Sequence, residues 1–281
     1  MSEFNCDYNV NDVGDHGKGS QSVGLAEGPA IRQTGANVDP EGIDMMRTAL
    51  VTGGNRGIGF AICRGLARAD HRVIVAARNE TLGLEAAEAL RGEGFDASSV
   101  VLDVANPQSA LDCAADLNDR GTAVDVLVNN AGVFVPGSLL MDADPLGQSI
   151  AVNFLGPLNT ARAFVPAMME RGWGRVVNVS SAWGSFAEGL EGTPSYAITK
   201  AALNALTVHL AREAGPEVLI NALCPGWVQT RMGEDSAPWD PSGSVPDRTP
   251  EEGSDTALYL ATLPDGGPTG GFFRDRAPLA W

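Results

Sequence analysis

From position 47 onward the chain alternates short, β-branched apolar runs with longer segments of helical period, and few architectures accommodate that rhythm. The runs fall at 48–51, 73–76, 100–102, 124–128, 176–179 and 218–223. They are apolar at successive positions rather than at every second one, as in parallel strands covered on both faces. The segments between them, 57–69, 81–91, 107–117 and 145–170, are long enough to cross over the sheet and return. The pattern predicts an α/β fold with a doubly wound parallel sheet between two helical layers. A chain of 281 residues has room for one such domain, over 45–281, and little for a second.

Two stretches depart from the rhythm. Residues 1–44 are rich in Gly, Asn, Asp and Ser and carry no sustained period. That composition buries little apolar surface and is expected to form a disordered N-terminal extension. Residues 233–248 collect Pro, Ser and Gly around Trp239. A substrate lid near 231–249 is one reading, and a tolerated surface insertion is the other. Immediately after it, Thr249-Pro250-Glu251-Glu252 has the order of an N-cap, a first-turn proline and two acidic residues, predicting a helix over 251–262. A last strand is expected over 269–273.

Charge and cysteine usage narrow the function classes. With 19 basic against 35 acidic residues the net charge is −16, which argues against nucleic acid or an anionic membrane as partner. A small-molecule substrate fits better. Cys6, Cys63, Cys113 and Cys224 form no C-x-x-C pair, and His16, His71 and His209 are scattered, so no metal site is expected. Reduced thiols suit the cytoplasm. No apolar run reaches the length of a membrane span, and no signal peptide is indicated at the N-terminus.

The first strand leads directly into Thr52-Gly53-Gly54-Asn55-Arg56-Gly57-Ile58-Gly59, which opens the first helix. Gly53, Gly57 and Gly59 permit a tight turn and let a pyrophosphate approach the free N–H groups of the helix start. The second strand ends at Ala76-Ala77-Arg78-Asn79, without the carboxylate that would bind the ribose hydroxyls of an unphosphorylated dinucleotide. Arg78 and Arg56 could instead hold a 2′-phosphate through charge-assisted hydrogen bonds, so NADP(H) is the cofactor expected. Solvated arginines are the alternative.

Farther along, Tyr196 and Lys200 stand four residues apart at the head of an apolar helical segment, on one face. A phenol of pKa roughly 10 is a poor acid or base near neutrality. A cation beside it favours the phenolate, and such a pair can exchange a proton with a carbonyl or alcohol. On its own the spacing also describes a half-buried ring beside a solvated charge.

In chain order, Thr52 to Gly59, Asp103-Val104, Asn129-Asn130-Ala131-Gly132, Asn153, Ser181, Tyr196 with Lys200, and Pro225-Gly226-Trp227-Val228-Gln229-Thr230 form a set. From Arg47 to about Phe273 the chain resembles the short-chain dehydrogenase/reductases, and its cofactor end resembles their NADPH-dependent carbonyl reductase type. The resemblance implies a Rossmann-type fold and a role for each matching position. Gly53, Asn55, Arg56, Gly57, Ile58, Gly59 and Arg78 would bind the phosphates. Asp103 and Val104 would meet the adenine, and Asn130, Ala131 and Gly132 the adenosine ribose. Pro225, Gly226, Val228 and Thr230 would hold the nicotinamide carboxamide. Tyr196 would donate the proton in reduction, with Lys200 lowering its pKa and binding the nicotinamide ribose. Ser181, preferred over its neighbour Ser180, would orient the carbonyl. Asn153 would anchor a water that relays protons.

The segment between Ser181 and Tyr196 contains Trp183, Phe186, Ala187, Leu190 and Pro194, which could line a substrate pocket together with Phe134, Val135 and Trp227. An apolar ketone or aldehyde, or the corresponding alcohol, is expected as substrate. A 3-oxoacyl-thioester ketoreductase acting on carrier proteins is the main alternative. A non-catalytic NADP-binding sensor is a third, disfavoured by the intact Ser181, Tyr196 and Lys200. The resemblance further implies a homo-oligomer, dimer or tetramer, built on the helices near 145–170 and 194–213, although a monomer is compatible with the family.

Overall fold

The computed structural model describes residues 46–142, 144–240 and 243–281. The expectation for 1–44 lies outside these residues. Among the described residues, eight strands make one sheet: β1 (Thr48–Thr52), β2 (Arg72–Ala77), β3 (Ala97–Val101), β4 (Val126–Asn129), β5 (Gly174–Val179), β6 (Val218–Leu223), β7 (Phe272–Arg274) and β8 (Ala277–Pro278). Their order is β3-β2-β1-β4-β5-β6-β7-β8, parallel throughout except for the antiparallel β7–β8 pair. The order reverses between β1 and β4, and the crevice beyond their carboxyl ends is where such sheets bind ligands.

Alternate strand residues supply two separate cores, which is why the sequence reads as continuously apolar. Val51, Val75, Val128 and Val177 face one layer, packed with Ile62 and Leu66 of α1 (Gly57–Arg68), Ala87 and Leu90 of α2 (Glu80–Gly92) and Leu260 of α8 (Pro250–Ala261). Leu50, Ile74, Leu127, Val176 and Ile220 face the other. There they meet α3 (Pro107–Asp119), α5 (Gly156–Arg171) and α6 (Pro194–Ala214). The fold is the doubly wound, three-layer Rossmann type.

Three elements differ from the sequence reading. β3 is the edge strand among the described residues, with none of them paired on its outer side, so Val101 is exposed rather than buried on both faces. The segment 145–170 is not one α-helix: α4 (Pro145–Ser149) passes through a π-helical turn, Ile150–Leu155, into α5. Pro157 explains the break in part, since it has no N–H to return to the carbonyl of Asn153 four residues back. The final strand starts at Phe272 rather than Thr269, because the Thr269 hydroxyl is engaged by the Ile220 N–H at 3.0 Å, and β8 follows it unforeseen. By contrast, α8 begins as its sequence dictates: Thr249 and Glu252 form a capping box with Pro250 in the first turn.

Candidate active site

The glycine turn and the turn after β4 are built against each other. Asn130 Nδ2 donates to the carbonyls of Thr52 at 2.9 Å and Gly53 at 3.2 Å. Thr52 Oγ1 accepts the backbone N–H groups of Asn130 and Ala131, both at 3.0 Å. Gly53 takes φ +63, and a β-carbon on Gly59 would lie 2.3 Å from the Gly53 carbonyl oxygen and 2.5 Å from Asn130 Nδ2. Only glycine fits such an approach. α2, α3 and α8 are closed by the side chains of Asn79, Asn106 and Thr249, but α1 has Arg56 at its N-cap, no side-chain cap and no first-turn acid. Its leading N–H groups are therefore free of side-chain partners, as an anion requires.

Arg56 and Arg78 are both exposed, and among the described residues neither enters an ion pair. Asn55 and Gly57 lie in the same turn, and Gly57 stands against Thr230, whose Cγ2 would be 3.2 Å from an added β-carbon. Beyond β3, Asp103 Oδ1 accepts the Ala105 N–H at 3.0 Å, and the Val104 carbonyl is held by Asn159 Nδ2 at 2.9 Å.

Tyr196 and Lys200 lie in the first two turns of α6, begun by Pro194. Phe134 and Trp183 meet the Tyr196 ring edge-on, with centroids 5.6 and 6.2 Å away, and fix its orientation. Burial pushes the phenol well above its ordinary value, Cys224 adds to the rise, and a hydrogen bond with Ser181 opposes it. Lys200 is not among the groups that set that shift. Its own ammonium is lowered by burial to about 8, with Cys224 opposing. Nζ donates to the Val179 carbonyl at 2.7 Å and stands 5.5 Å from the Tyr196 ring centroid.

The two serines at the end of β5 face different ways. Ser180 is buried and bonds Asn204 Oδ1 at 2.6 Å, whereas Ser181 lines the cavity beside Tyr196. Asn153, fully buried in the π turn, clamps the backbone of Val133: Oδ1 accepts its N–H at 2.8 Å and Nδ2 donates to its carbonyl at 2.9 Å. A β-carbon on Gly132 would be 3.4 Å from Asn153 Oδ1 and 3.9 Å from Lys200 Nζ, so these three positions converge.

Ser181 and Tyr196 open onto a cavity of about 300 Å³ that also takes in Ile58, Pro225, Gly226, Val228 and Thr230. Of the apolar residues expected there, Phe134, Trp183 and Trp227 reach it. Phe186 is exposed instead, and Val135, Ala187, Leu190 and Pro194 do not line it, because the 185–190 turn folds toward residues 280 and 281. Several lining groups were not foreseen: Cys224, Met232 and the charged Glu188, Glu191, Asp240 and Arg274. Cys224 adjoins the Pro225 motif and was discoverable. Arg274 reaches the site only through the fold. A roomier hollow of about 500 Å³ at the β3 edge, between α2 and α3, holds none of the expected catalytic residues. Among the described residues, no three His, Cys, Asp or Glu side chains gather to hold a metal, and no helix is long and apolar enough to cross a membrane.

A family model for short chain dehydrogenases matches residues 47–241. Carbonyl reductase (NADPH) 1 of Mus musculus is 34% identical over 284 residues, covering 83% of this chain and 98% of its own. A gluconate 5-dehydrogenase from Burkholderia cenocepacia, solved in complex with NADP and tartrate, is 29% identical with a TM-score of 0.73 over 81% of this chain and 92% of its own. An actinorhodin polyketide ketoreductase, solved with NADPH, is 30% identical with a TM-score of 0.72 over 81% and 94%. A family match spanning most of the chain, with relatives a third identical along nearly their full length, places this chain in the short-chain dehydrogenase/reductase family, on its carbonyl reductase side.

Proposed function

We propose that the protein reduces a ketone or aldehyde to an alcohol, with Tyr196 donating the proton. The observation that carries this reading is that Ser181 and Tyr196 line one cavity beside the uncapped start of α1, with buried Lys200 Nζ 5.5 Å from the Tyr196 ring centroid. NADP(H) is the cofactor, and the chain fits it. The Gly59 approach leaves no space for a side chain, the start of α1 has no side-chain cap, and among the described residues Arg56 and Arg78 enter no ion pair. When bound, NADPH supplies the hydride that goes to the carbonyl carbon.

The chain's own groups manage the oxygen. A phenol kept protonated by burial is suited to give its proton to a developing alkoxide. Ser181, hydrogen-bonded to that phenol, would orient the carbonyl and stabilise its charge. Lys200 would bind the nicotinamide ribose and reprotonate Tyr196. Asn153, whose carbonyl receives no N–H from Pro157 four residues on, would anchor the water feeding that path. Residues 225–230 would close on the nicotinamide end. The segment 231–249 would cover the substrate: α7 (Arg231–Ser236) is pinned by Trp227 Nε1, which donates to the Gly233 carbonyl at 3.1 Å and to Ser236 Oγ at 3.2 Å.

The ring-lined cavity favours an apolar carbonyl over a polyol. The ketoreductase relative keeps a β-ketoacyl thioester as a second reading. Glu188, Glu191 and Asp240 at the cavity would repel an acidic carrier protein. Exposed Leu155, Met169 and Ile198, on or beside α5 and α6, suit a homo-oligomer built on those helices, which a sedimentation mass would check. The decisive assay follows NADPH oxidation against apolar aldehydes and ketones, a polyol-derived ketone and a β-ketoacyl thioester, with NADH in parallel. Turnover of free apolar carbonyls with NADPH supports the proposal. Turnover of the thioester or the polyol-derived ketone alone overturns the apolar substrate, and no turnover of any carbonyl contradicts the proposed reaction.

A further inference from the structure

Three consecutive residues beside the cavity each bind a different element. Arg274 pairs with Glu188 at 3.2 Å, in the loop that follows Ser181. Asp275 takes a two-pronged bond from Arg248, with contacts of 2.5 and 3.0 Å. Arg276 pairs with Asp255 of α8, and its backbone N–H donates to Thr256 Oγ1 at 3.1 Å. Asp275 and Arg276 form the turn between β7 and β8 with φ of 53 and 61, a left-handed conformation that an arginine seldom adopts. Such strain persists where the surroundings over-determine it.

Two of these bonds reach the cavity: Glu188 and Arg274 line it, and Arg248 supports the lining Gly226. The Arg248 guanidinium fills the place a Gly226 side chain would take, 2.4 to 2.7 Å from an added β-carbon. The Arg248 backbone N–H donates to the Trp227 carbonyl at 3.1 Å, and its carbonyl accepts the Gln229 N–H at 2.7 Å. Arg248 is thus the support beneath residues 225–229, and Asp275 holds it in place. In the loop that brings Glu188 to the cavity, buried Ser185 Oγ accepts the Glu188 N–H at 3.2 Å and donates to the Ala280 carbonyl at 2.9 Å, Ala187 N–H donates to the Trp281 carbonyl at 2.9 Å, and Trp281 stacks on Phe272 at 5.3 Å.

We infer that the β7–β8 hairpin and the residues just after it, 272–281, are a shared positioning element: Asp275, through Arg248, sets the nicotinamide-side turn at 225–229, while residues 280 and 281, through Ser185, set the substrate-side loop. This rests on the reading of residues 225–230 given above. The two arms separate in binding constants. Asp275→Ala should weaken NADPH binding about five-fold, the scale of one partly exposed ion pair, and leave the carbonyl KM within about two-fold. Ser185→Ala should raise the carbonyl KM about five-fold and leave the NADPH Kd within about two-fold. Asp275→Glu should restore most of the NADPH affinity.

The test titrates NADPH by fluorescence in wild type and the three variants, then measures carbonyl KM and the melting temperature. The opposite responses of the two arms support the inference. Parallel changes in both constants, or no change in either, overturn it, since simple destabilisation does not separate them. Because the titration needs no turnover, a wild type that binds NADPH yet reduces no carbonyl refutes the proposed reaction while leaving the Asp275 arm decided by Kd alone.

Discussion

The cofactor end and the substrate end of this molecule are held together by different physics. At the cofactor end the contacts are backbone to backbone or use short side chains: Thr52 and Asn130 knit the glycine turn to the turn after β4, and Gly59 leaves no space for anything larger. At the substrate end and the nicotinamide-side turn next to it, long side chains reach across the fold, as Arg274 does to Glu188 and Arg248 to Asp275. One region is specified by what the backbone must do, and its residue types are narrow. The other is specified by tertiary placement, and many residue types could serve. Tyr196 and Lys200 add a titratable cost of burial to these two regions.

Four measurements would break or sharpen that contrast, beginning with the pair itself. Burial lowers the Lys200 ammonium from 10.5 to about 8. Between those values the unfolded chain binds the extra proton, so Lys200 makes the fold more stable as pH rises through this window, and its penalty is full below about 8. Denaturant unfolding without cofactor should show the stability of Lys200→Met, relative to wild type, falling by about 3 kcal/mol from pH 8 to 10.5. Parallel profiles would mean that burial does not govern this amine. Next, Gly59→Ala should cost about 2 kcal/mol through overpacking against the Gly53 carbonyl and Asn130, and weaken NADPH binding with it. A variant of unchanged stability would show the turn to be softer than described.

Smaller effects test whether the exposed charges carry cofactor choice. Arg78→Asp should lower NADPH affinity roughly ten-fold and leave NADH affinity nearly unchanged; equal losses would remove Arg78 from 2′-phosphate recognition. The smallest effect serves as a control outside both regions. Thr249→Ala breaks the capping box of α8 and should cost about 1 kcal/mol in thermal unfolding with no change in either KM. A shift in KM would tie α8 to the cavity more tightly than its packing suggests.

The same contrast explains what the sequence revealed. Strands covered on both faces announce themselves by continuous apolar runs, so the sheet was legible except at β3, whose exposed Val101 depends on its place at the edge. The placement of the glycine turn, Asn130, Tyr196 and Lys200 was legible because each stands at a fixed spacing on a strand end or helix start that the periodicity predicted. Asn153 was readable only through family resemblance, although Pro157 marked the helix as interrupted. Glu188 and Arg274 were not legible at all: 86 residues separate them, and each is an ordinary surface charge until the fold brings them together. Phe186 misled for the opposite reason, since an aromatic near Ser181 in sequence turned outward in space.

The central claim, that Tyr196 is the proton donor in an NADPH-dependent carbonyl reduction, is tested most directly by Tyr196→Phe measured twice, for NADPH binding and for turnover of an apolar ketone. The account predicts a kcat lower by about 10³-fold with NADPH affinity within about two-fold of wild type. A variant that turns over at the wild-type rate would contradict it.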